Sequence, residues 1–126
     1  MRLALLAALG GAFGTVARYL TVAAAARLLG PDLPWGTFAV NVTGSLAIGA
    51  LMAAISQWWG GSPELRVLLV TGVLGGFTTF SAFSFDILQL IERRAFLEAS
   101  LYAVGSVLLS LLAVAIGFSA IKALAS

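Results

Sequence analysis

The segment TGVLGGFTTFSAFSF (71–85) sets Gly72, Gly75 and Gly76 directly ahead of Thr78, Thr79, Phe80, Ser81 and Phe83 in an otherwise apolar stretch. Glycine costs about 1 kcal/mol relative to alanine inside a helix, so this cluster predicts an interruption. Main-chain groups freed at membrane depth are tolerated only where protein buries them or a polar cavity receives them. Freed carbonyls are hard oxygen ligands for a cation, and the amides opening the next half-helix suit an anion. Phe80 and Phe83 stand three apart, on one face just past the interruption. A phenylalanine ring edge carries the positive lobe of the quadrupole and meets an anion weakly, although a cluster at this spacing is also the mark of core packing.

Two further stripes carry polar chemistry. Thr37, Asn41 and Ser45 recur at intervals of four, as do Tyr102, Ser106 and Ser110, so each set lies along one helical face. Small polar side chains in apolar helices act as interhelical hydrogen-bond glue or as a track of neutral donors that solvates an anion without trapping it. Asn41 offers two donors and an acceptor, more than packing needs. Gly10, Gly14 and Arg18 share a third stripe with the same spacing. The glycines permit close helix approach, and an arginine at that depth must reach protein or an aqueous vestibule.

The elements that position these residues follow from composition. Of 126 residues 61% are hydrophobic and only 10% charged, against roughly 25% charged in a soluble domain. Windows 33–63, 67–85 and 99–121 contain no charge, and each exceeds the ~18 apolar residues of a membrane span. The expected architecture is a single all-α domain of four transmembrane helices at about 3–29, 36–58, 65–91 and 96–122, the third one broken. Arg2 followed by LALLAALGGA also has the form of a secretory leader, but the apolar run continues well past any cleavage point and favours a span. Trp58 and Trp59 are placed as interface anchors. With no cysteine and no histidine, disulfides, thiol catalysis and the commonest metal ligand are excluded, and no nucleophile–base pair suggests an enzyme. The basic residues are scattered over loop ends, which argues against nucleic acid as a partner.

Those loop charges bear on orientation. With four spans, Arg2, Arg66 and Lys122 fall on one side and Arg27, Arg93 and Arg94 on the other, three against three. The positive-inside rule then gives no preferred direction, which permits insertion both ways up and an antiparallel, dual-topology homodimer.

GGAFGTVARYL (10–20), PWGTFAVNVTGSLAIG (34–49) and GGFTTFSAFSFD (75–86) resemble, in order and spacing, the three signature blocks of the CrcB/Fluc fluoride channels. The resemblance implies an antiparallel homodimer in the microbial inner membrane, with two pores that export fluoride passively. It places Asn41, Phe80, Phe83, Tyr102, Ser106 and Ser110 along the fluoride pathway, with Ser81 as a neighbouring donor. It assigns the carbonyls of Gly75 and Thr78 from both subunits to a central structural sodium ion, and Arg18 to the vestibule or to packing. Ala82 stands where the family commonly has threonine, which removes one hydroxyl beside the pore. The rival readings are a small dual-topology four-helix multidrug exporter and a non-transporting membrane scaffold. An exporter calls for a carboxylate in the first span, where this chain has Arg18; Asp86 and Glu92 are expected at the membrane surface.

Overall fold

Four long apolar helices, with no strand, account for almost every residue from Met1 to Ser126, all of which the computed structural model describes. Helix α1 (Arg2–Leu29) leads through a short loop to α2 (Trp35–Trp58). The third crossing, Pro63–Glu92, is composite. It opens with one turn, α3 (Pro63–Leu65), continues as a π-helix (Arg66–Leu74) and a short α4 (Gly75–Phe77), breaks, and resumes as α5 (Ser81–Glu92). Helix α6 (Phe96–Ala125) closes the chain. The 24 residues of α2, the shortest unbroken crossing, reach ~36 Å at 1.5 Å per residue, enough for a hydrocarbon layer of ~30 Å.

Local chemistry sets the ends. Gly30 closes α1 at φ 88°, a backbone that glycine adopts freely, and its amide bonds back to the Ala26 carbonyl. Ser62 Oγ accepts from the Leu65 amide at 3.3 Å with Pro63 in the first turn, an N-terminal cap for the third crossing. Arg2 pairs with Glu64 at 2.6 Å, tying the start of α1 to the start of that crossing.

Lipid tails are as apolar as leucine, so helices in a membrane associate through close packing and hydrogen bonds. Two seams here are built on glycine. A Cβ on Gly14 would run into the Val73 carbonyl, and one on Gly76 would stand 2.6 Å from the Gly11 carbonyl, so α1 lies directly against the third crossing. On the other seam Gly49 of α2 abuts the Val114 carbonyl and Gly117 of α6 abuts the Leu46 carbonyl. Between the seams Val40, Ile55 and Leu90 are fully buried. Only 18 of 126 residues are buried, and large apolar side chains such as Phe13, Leu101 and Leu111 face outward, as in a protein whose solvent is lipid.

The glycines ahead of the break act differently from expectation. Gly72, Gly75 and Gly76 remain helical, and Gly72 and Gly76 serve the contact with α1. The interruption falls at residues 78–80, where Thr78 turns extended at φ −88°, ψ 159°. Both the amide and the hydroxyl of Thr78 donate to the Leu74 carbonyl, each at 2.9 Å, which closes the upstream helix. Thr79 Oγ1 accepts from the Ala82 amide at 3.1 Å, supplying an acceptor for the opening turn of α5.

Candidate functional site

The break is held by side chains from both neighbouring helices. From α2, Asn41 Nδ2 donates to the Thr79 carbonyl at 2.9 Å while its Oδ1 accepts from the Thr79 amide at 2.8 Å. From α1, Arg18 Nε donates to the Gly76 carbonyl at 2.9 Å. Arg18 is therefore fixed to the break by its Nε while lining a cavity of about 400 Å³ that also reaches Thr37, Thr79, Ala82 and Asp86. The carbonyls of Gly75 and Thr78 accept no hydrogen bond from the protein.

On the α6 side of the break lies a second cavity, of about 270 Å³, lined by Asn41, Ser45, Thr78, Thr79, Phe80, Phe83, Ser106, Val107 and Ser110. The polar stripes of α2 and α6 thus face one another across a shared space. Ser106 is 4% exposed and its Oγ has no hydrogen-bond partner. A buried hydroxyl left unpaired costs about 1–3 kcal/mol, and this one lines the cavity beside Ser110. The Phe80 and Phe83 rings meet edge to face, centroids 5.7 Å apart at 74°. Phe83 is buried, whereas Phe80 is 68% exposed.

Tyr102 and Ser81 sit apart from that cavity. The Tyr102 hydroxyl donates to Asp86 Oδ2 at 2.8 Å, and its ring lies 5.2 Å from that of Phe83. Ser81 is exposed, with Oγ 3.4 Å from Thr79 Oγ1. Asp86 is half-buried and bonded to Tyr102, six residues past Phe80, which puts it ~9 Å along the helix from the break. Its position three residues after Phe83 was the available signal, because residues at that spacing share a helical face and Phe83 already meets Tyr102. Ala82 lines the cavity of Arg18 and Asp86, so the missing hydroxyl falls on that side of the break. Thr79 borders both cavities and is the residue whose importance sequence spacing concealed.

Residues 5–118 match the family model described as CrcB-like protein, Camphor Resistance (CrcB). A protein of Rhizobium etli (strain CIAT 652) named fluoride-specific ion channel FluC is 51% identical over 122 residues, covering 97% of this chain and 98% of that one. Proteins of the same name from Chelativorans sp. (strain BNC1) and Rhizobium meliloti (strain 1021) are 52% identical over 113 residues and 50% over 120, covering 90% and 95% of this chain and 90% and 96% of theirs. With a family model matched over residues 5–118 and relatives at about half identity covering 90–97% of it, this chain belongs to the CrcB family.

Proposed function

We propose that this chain is a fluoride-selective channel that lets fluoride leave the cell passively across the inner membrane, working as an antiparallel homodimer with two pores. The observation that carries the reading is the cavity where Asn41, Ser45, Ser106 and Ser110 converge with Phe80 and Phe83 beside a broken helix. Every group there is neutral. Fluoride holds its water tightly, so a conducting path must offer close donors in its place and yet bind weakly at any one point. Hydroxyls, an amide and ring edges meet both demands, and no lysine or arginine lines that cavity to trap the ion. Tyr102 continues the track of α6, and Ser81 lies beside Thr79 at the same break. The vestibule belongs to Arg18, the one basic side chain lining its cavity.

A structural sodium ion fits the same architecture. The Gly75 and Thr78 carbonyls, like that of Phe77 between them, carry no hydrogen bond, and a two-fold axis through the break would bring four hard ligands from Gly75 and Thr78 together. The ion would neutralise their converging dipoles. The balanced loop charges support the opposed insertion this requires. The exposed face of Phe80 supports a pathway completed by a second copy.

The test is efflux from liposomes holding fluoride or chloride, with a potassium path for charge balance. Rapid fluoride release with chloride retained is expected. Equal release of both ions, or transport that runs only when a proton gradient drives an organic cation, would sink the proposal.

A further inference from the structure

If Gly75 and Thr78 supply the cation's ligands, something must aim their carbonyls, and the bonding around the break identifies it. The Thr78 carbonyl and the Thr79 N–H belong to one peptide group. No peptide bond in the chain is cis, so that group is a planar trans unit whose C=O and N–H point in opposite directions. The direction of the N–H is fixed, since it donates to Asn41 Oδ1 at 2.8 Å. The same side chain donates from Nδ2 to the Thr79 carbonyl at 2.9 Å, which belongs to the next peptide group. One planar amide from α2 therefore holds two successive peptide units. A pore-lining donor would need only an Nδ2 hydrogen; using Oδ1 as well is the signature of a backbone clamp.

The neighbouring carbonyls complete the pattern. Those of Gly76 and Thr79 are occupied by Arg18 and Asn41, which leaves the carbonyls of Gly75, Phe77 and Thr78 free. Hydrogen bonding at an N–H also polarises its peptide group and makes the carbonyl at the other end a better ligand. We propose that Asn41 is a positioning residue for the cation site: by gripping Thr79 it turns the Thr78 carbonyl away from the Asn41 cavity and toward the ion. A residue on the anion path then also sets the cation site, so the two are coupled through a single peptide plane. This inference rests on the sodium reading given above.

A ligand at free concentration L that binds only the folded state raises its stability by RT ln(1 + L/Kd), so the concentration at which the rise sets in reports Kd and provides a readout independent of transport. The thermal unfolding midpoint of the purified protein in detergent is followed against sodium chloride, replaced by choline chloride at constant ionic strength. The wild type should gain stability, flat at low sodium and then rising with the logarithm of its concentration. Asn41→Asp keeps an acceptor for the Thr79 N–H and its rise should set in within about threefold of the wild-type sodium concentration, while Asn41→Leu keeps neither bond and should need about tenfold more. An onset for Asn41→Leu within about threefold of the wild type would overturn the inference and leave the sodium reading standing; absence of any sodium response in the wild type would remove both. Should Asn41→Leu fail to fold, residue-resolved hydrogen exchange on the wild type decides. The Thr79 N–H should exchange more slowly than that of Phe80, which has no protein acceptor, and equal rates would overturn the clamp.

Discussion

Ser106 separates stability from transport more cleanly than any other side chain. Its hydroxyl is buried without a partner, so removing it relieves a desolvation cost that usually accompanies function. Ser106→Ala should leave thermal stability unchanged or raise it by up to ~1 kcal/mol while slowing fluoride efflux severalfold. Tyr102→Phe should behave in the opposite sense. It strips Asp86 of its hydroxyl donor and should cost about 1–3 kcal/mol in the same unfolding assay, because a carboxylate within the span loses its hydrogen bond. The intervals of four in α2 and α6 revealed which side chains share a face. They could not reveal that Asn41 turns to the backbone of Thr79, or that Tyr102 turns to Asp86, because such choices depend on which helix stands opposite.

At the scale of elements, the glycine seams divide replaceable positions from irreplaceable ones. A side chain at Gly14 or Gly49 would strike a main-chain carbonyl of the facing helix, and backbone cannot swing aside as a side chain can. Gly49→Leu should lower stability by about 3 kcal/mol or prevent assembly. A Cβ at Gly105 meets nothing within 4 Å, so Gly105→Ala should gain up to ~1 kcal/mol of helix propensity. Thermal unfolding of the two variants side by side reads both signs. The sequence announced an interrupted third crossing through its glycines and threonines, and the interruption is there. Its location was less legible, because a glycine that loosens a helix and a glycine that admits a neighbour look alike without the neighbour. Gly72 and Gly76 are of the second kind, and the hydroxyls of Thr78 and Thr79 make the break itself. The π-helical run Arg66–Leu74 left no sign in the residue pattern; its wider turn accompanies the contact with α1 at Gly10 and Gly14.

For the whole molecule, the even split of loop charges carries the proposal of opposed insertion. Replacing Arg27 and Arg94 with glutamine leaves a surplus on the other side, and replacing Arg2 and Arg66 does the reverse. Each double variant alone should insert one way and lose most fluoride efflux; co-expression should restore it, measured by fluoride uptake and survival of cells challenged with fluoride. Full activity from either variant alone would show that orientation is not set by these charges or not needed in both senses. Membrane residence and span number could be read from composition alone, whereas the face a second copy would cover could not, since such a face has the same composition as one that meets lipid. Phe80 marks the difference, with most of its ring uncovered on a single protomer. Under the proposed pairing, a solitary newly made chain would present only part of a conduit, its aromatic wall open to the bilayer, and would stay electrically silent until it met an inverted sibling. Assembly itself would then safeguard the cell against premature leakage during biogenesis.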